Sequence, residues 1–110
     1  MRAHRQWIVV MVGAAMLLGT GATADEASFL AETQAAMDRM MAGMAVPPSG
    51  DVDRDFAAMM IAHHQGAIDM AQAMLRYGTN EPLRRIAQGI IVEQQQEIAA
   101  MRLAIGQSPK

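Results

Sequence analysis

Two adjacent histidines, His63 and His64, lie in the run Met59-Met60-Ile61-Ala62-His63-His64-Gln65-Gly66-Ala67-Ile68-Asp69-Met70-Ala71-Gln72-Ala73-Met74. Imidazole nitrogen and thioether sulfur, in a chain with no cysteine, make a donor set suited to a soft monovalent ion such as Cu(I) or Ag(I). On a helix, residues four and seven apart share a face. Met59, His63, Met70 and Met74 then form one stripe. Met60, His64, Ile68 and Ala71 form a second, about 100° away. One histidine is therefore expected to face inward, and the other to sit on the flank or to serve a second site.

Each of these residues has a plainer reading. A methionine at helical spacing is more often a flexible core filler than a ligand. A lone histidine is more often a hydrogen-bonded core or boundary residue. The combination moves the balance towards metal: nine methionines beyond residue 24, spread over three helical segments, with a His-His pair among them. Gly66 costs about 1 kcal/mol in a helix interior relative to alanine, so it has a purpose. It opens room for a ligand, or it lets a helix approach closely, with Gly89 at the same level of the neighbouring helix. Gln94 interrupts an apolar face and is a candidate partner for the free ring nitrogen of a liganding histidine. Glu97 lies nearby, at the boundary.

Known enzyme constellations are missing. There is no H-E-x-x-H zinc helix. The residues three before His63 and His64 are Met60 and Ile61, so the Glu-x-x-His of di-iron bundles is absent. There is no cysteine nucleophile, and Ser28, Ser49 and Ser108 stand outside any triad context. The expectation is a protein without catalytic activity.

Three helices must position these residues. No strand-like alternation is visible. The first helix is expected over about Glu26 to Ala42, with Phe29, Leu30, Thr33, Met37, Met40, Met41 and Met44 on its apolar face. Val46-Pro47-Pro48-Ser49-Gly50 then ends it. The second is expected from about Asp51 to Tyr77. Asp51, Asp53 and Asp55 crowd its start, and Gly78 follows its end. Asn80 caps the third, with Pro82 in its first turn. It extends to about Ile105 and buries Leu83, Ala87, Ile90, Ile91, Gln94, Ile98, Met101 and Ile105. The very short link makes the second and third helices an antiparallel hairpin, and the first is expected to return and cover its open face. The fold class is thus all-α, a small antiparallel helical bundle.

Ahead of these helices stands a leader. Arg2 and Arg5 precede an apolar run from Trp7 to Gly19, followed by Ala22-Thr23-Ala24. This order is that of a cleaved secretory signal peptide, and the run is too short for a comfortable membrane span. Residues 1-24 are expected to be the leader and residues 25-110 one small domain, periplasmic and without a membrane span after cleavage. The leader holds two of the nine basic residues and none of the eleven acidic ones, so the mature domain carries a net charge of −4. That is a poor footprint for nucleic acid. A core this small gains from a bound metal or from oligomerisation.

The segment Met59-Met60-Ile61-Ala62-His63-His64-Gln65-Gly66-Ala67-Ile68-Asp69-Met70-Ala71 resembles the bacterial family called domain of unknown function 305. Ile90-Ile91, Gln94, Glu97-Ile98 and Met101 continue the likeness, which covers about Asp55 to Leu103. The resemblance implies a ferritin-like helical bundle and CopM-like periplasmic copper binding, with Cu(I) as the ion and Ag(I) as its mimic. Carried over by position, the motif residues are Met59, Met60, His63, His64, Met70 and Met101. A role in copper resistance or trafficking follows, with a periplasmic copper-handling partner. Many members of the family are longer, so a homodimer completing a larger bundle is also implied. The other function class open to this chain is a non-catalytic interaction or chaperone-like module with a Met-rich groove.

Overall fold

A computed structural model describes residues 21–110. The chain forms three helices, α1 (Ala24–Met44), α2 (Val52–Tyr77) and α3 (Glu81–Ala104). The expected leader falls largely outside the described residues.

Each helix starts where a side chain satisfies its free N–H groups. The Thr23 hydroxyl accepts from the Glu26 N–H at 3.1 Å. The Asp51 carboxylate accepts from Asp53 and Arg54 at 3.0 and 3.3 Å. Asn80 accepts from Leu83 at 3.0 Å, with proline in the first turn. Pro47 and Pro48 interrupt the chain after α1, and Gly50 adopts the positive φ of 85° that turns it into α2. At the other end of α2, Gly78 donates to the Met74 carbonyl at 2.8 Å. Arg84 of α3 then reaches back and donates to the carbonyls of Leu75 and Gly78 at 2.7 and 3.0 Å. This clamp fixes the short link and the antiparallel α2–α3 hairpin.

The result is an all-α bundle built as an open layer. α2 is central, α1 packs on one side of it and α3 on the other, and no Cα of α1 comes within 8 Å of α3. This corrects the expectation that the first helix closes over the hairpin. The buried residues of α2 explain the arrangement. Gly66 and Ala73, seven apart, form one seam; Ala57, His64, Ile68 and Ala71 form another on the far side. A helix buried along two opposed seams takes a neighbour on each.

The α1–α2 seam is made of small residues. A Cβ on Gly43 would stand 2.8 Å from the Ala62 Cβ, and one on Gly66 would stand 2.8 Å from the Met40 sulfur. Gly66 therefore admits α1, whereas Gly89 is exposed with open space around it. The expected Gly66–Gly89 contact between α2 and α3 does not exist. Leu83, expected in the core of α3, is exposed, and so are Leu30, Met37 and Met41 of α1. In α1 the buried residues are Thr33 and Ala36.

Candidate metal centre

The two histidines have opposite environments. His64 is 7% exposed, in the α3 seam, and its Nε2 is hydrogen-bonded to the carboxylate of Glu97. Its Nδ1 is buried and has no partner among the described residues. His63 is exposed. The two rings meet edge to face with centroids 6.0 Å apart. His64 is thus the inward histidine and His63 the outward one, an assignment that one-residue spacing left undecided.

Carboxylate contact fixes the chemistry of His64. An N–H at Nε2 donates to Glu97, and in the neutral ring this leaves the lone pair on Nδ1. A carboxylate on one ring nitrogen is also the usual way in which a liganding histidine is oriented. The residue holding His64 is therefore Glu97, not the expected Gln94. The pairing further sets the register of the hairpin. One turn away on each helix stand Met60 and Met101, both half-buried. Met101 lines a groove with Phe56, Ala57 and Ile105 between α2 and α3. Imidazole, two thioethers and a carboxylate thus occupy adjacent turns of this seam.

The second stripe is placed differently. Met59 and Met70 are 37% and 39% exposed, and His63 between them is exposed. Met74, one turn beyond Met70, is half-buried at the edge of a cavity shared with Phe29 and Tyr77. Both stripes predicted by helical spacing exist, one turned to α3 and one turned to solvent. Among the described residues no three His, Asp or Glu side chains gather as a metal-holding group.

The two faces of the layer differ in chemistry. On one, Arg39 pairs with Asp69 at 3.3 Å and Arg76 with Glu32 at 2.6 Å, with Gln65 donating to Asp69 at 3.1 Å. Tyr77 also donates to Glu32, at 2.8 Å. The Arg76 guanidinium, then the Tyr77 hydroxyl, hold the Glu32 carboxyl below its usual range, and the same carboxylate pushes the Tyr77 hydroxyl up. On the other face, Leu30, Met37 and Met41 continue the exposed stripe of α2 on α1, on the helix edge away from Arg39. Leu83 and Ile86 continue it on α3, on the edge that carries Met101 and Ala104. Sequence reasoning missed this clustering and with it the exposure of Phe56. Only the outward turn of every stripe at once reveals it.

A family model described as "Domain of unknown function (DUF305)" matches residues 13–105. The chain belongs to this DUF305 family. The match takes in all three helices, so the first helix, which lies outside the stretch from Asp55 to Leu103, is part of the family unit. None of the curated proteins matches the chain.

Proposed function

We propose that this DUF305 protein is an exported, periplasmic copper-binding protein that holds Cu(I) through methionine thioethers and histidine imidazoles. It contributes to copper resistance or trafficking and has no catalytic role. The observation that carries this reading is the exposed stripe of Met59, His63 and Met70 on α2. Soft side chains that reach solvent are well placed as ligands that take up an ion and release it. Thioethers also carry no proton, so they coordinate without the deprotonation that a thiol needs. The unpartnered Nδ1 of His64, with Met60 and Met101 one turn away, supplies a second, buried donor group. On this reading His63 with Met59 or Met70 gives the primary ligands, and His64, Met60, Met74, Met101 and the α1 methionines extend the site.

An anaerobic Cu(I) competition titration against a chromogenic chelator tests the proposal. Tight, saturable uptake is the expected result and gives the stoichiometry. Uptake no greater than that of the chelator blank overturns it.

The exposed apolar side chains of all three helices favour one other reading, a non-catalytic module that holds apolar segments in a Met-rich groove. Capture of a partner that persists with copper removed by chelation distinguishes it.

A further inference from the structure

One ion cannot take both exposed methionines of a single α2. Met59 and Met70 are eleven residues apart, about 16 Å along the helix axis, whereas Met59 and His63 are about 6 Å apart. A single chain therefore offers the ion two donors on this stripe, one sulfur and one imidazole. Any third donor comes from outside this pair.

The spacing of the stripe says from where. The midpoint of α2 lies between His64 and Gln65, and the same point is midway between Met59 and Met70. It is also midway between His63 and Gly66. If two copies of α2 lie antiparallel across a two-fold axis through that point, Met59 of one faces Met70 of the other. His63 then lies at the level of Gly66, over which the Met40 side chain of α1 is packed. Met59, His63 and Met70 fall within about 40° of one another around the helix, so all three turn to the same side.

Exposed apolar side chains surround the stripe, with the Glu97 carboxylate at the α3 edge. Leu30 and Met37 of α1, Phe56 of α2 and Ile86 of α3 are exposed on this face, while the opposite face carries the ion pairs. α2 has 26 residues, about 39 Å of helix, and three helix axes in a layer span about 20 Å. The face thus measures about 800 Å², which is what each partner of a stable complex buries.

We propose that the uncovered face pairs with a second copy of this chain, and that each Cu(I) is held by Met59 and His63 of one protomer and Met70 of its partner. The dimer is isologous, with two equivalent sites and α2 packed antiparallel on α2. The inference rests on the copper reading above and adds the source of the third ligand.

Complementation between two variants tests it. Met59→Leu and Met70→Leu keep the apolar surface and remove one sulfur each. In the two-fold arrangement, either variant alone has no complete site. In a mixed dimer of the two, one site lacks both sulfurs and the other is intact. An equimolar mixture, exchanged through dissociation, should therefore regain about a quarter of the wild-type tight sites under random pairing. Far-UV circular dichroism confirms that both variants are folded, and sedimentation velocity reads the dimer directly. Recovery of tight sites only on mixing, in a sample sedimenting as a dimer, is the expected result. A wild-type protein that binds Cu(I) tightly as a monomer overturns this inference and leaves the copper reading standing. So does a Met70→Leu variant with undiminished binding, which would assign the third ligand to an α1 methionine such as Met41 in the same chain. Absence of Cu(I) binding by the wild type overturns both.

Discussion

The Nε2 of His64, in the middle of α2, is hydrogen-bonded to the carboxylate of Glu97 on α3, thirty-three residues further along the chain. His64 is buried and the Glu97 side chain is largely exposed. This pair joins the hairpin and also fixes which ring nitrogen of His64 is free. His63 next to it is exposed and has no such partner among the described residues. The adjacent histidines therefore sit in distinct environments.

Separate alanine substitutions should show that separation. His63→Ala is expected to lower Cu(I) affinity by about tenfold or more, about 1.4 kcal/mol, with stability unchanged within about 0.5 kcal/mol. His64→Ala removes a buried ring and its hydrogen bond, and should cost about 1–3 kcal/mol of stability. Glu97→Gln keeps the size of the side chain and removes its charge, and should reproduce part of that loss. Urea unfolding and Cu(I) competition on the three variants check the assignment. Equal stability of the two histidine variants would contradict it.

Glycine substitutions should change sign with position. Both Gly66→Ala and Gly89→Ala gain about 1 kcal/mol of helix propensity. At Gly89 nothing lies within 4 Å of the new methyl group, so a net stabilisation of about 0.5–1 kcal/mol is expected. At Gly66 the methyl group meets the Met40 side chain at 2.8–3.0 Å. Overpacking of about 1–3 kcal/mol then outweighs the gain. Thermal unfolding of the two variants decides the matter, and a stabilised Gly66→Ala protein would deny the close α1–α2 seam.

The contact of Glu32 with Arg76 and Tyr77 makes the docking of α1 sensitive to pH at both ends. The folded-state Glu32 carboxyl lies below its ordinary value of 4.5, chiefly through the hydrogen bond from Arg76. Its contribution is present above that value and is lost as pH falls through the lower, folded one. The Tyr77 hydroxyl lies above its ordinary value of 10.0, chiefly through its hydrogen bond to Glu32. Its contribution is present below that value and is lost as pH rises through the higher, folded one. Melting temperature against pH should fall on both flanks, and Glu32→Gln should flatten both. An unchanged profile in that variant would count against the coupling.

Processing of the leader should alter the start of α1. Thr23 caps α1, and cleavage after Ala24 would remove it. N-terminal sequencing of exported protein is expected to begin Asp25-Glu26-Ala27. The first turn of α1 should then exchange its amide hydrogens faster than it does in the unprocessed chain, because about 1 kcal/mol of capping is lost. A mature chain that begins upstream of Thr23 would retain the cap and its protection.

Much of the fold was legible in the residue order because its determinants are local. Asp51 and Asn80 start helices through hydrogen bonds spanning two or three residues, and two prolines with Gly50 break the chain between α1 and α2. The helix ends fall within two residues of their expected positions, and the two stripes of α2 follow from the helical period alone. Three things required the tertiary structure. Gly66 and Gly89 are alike in sequence context, and only the packing shows that Met40 stands over one and nothing over the other. Gln94 was the candidate to hold a histidine, with Glu97 at the boundary, and the rotation of α3 about its own axis selects Glu97. Whether α1 closes the hairpin or flanks it depends on which seam of α2 each neighbour takes. A periodic pattern specifies that a helix has an apolar face but not which of its two apolar seams meets which helix. That choice is made by contacts between residues thirty or more positions apart, such as Arg39 with Asp69 and His64 with Glu97, and it leaves the Met59–His63–Met70 stripe facing outward.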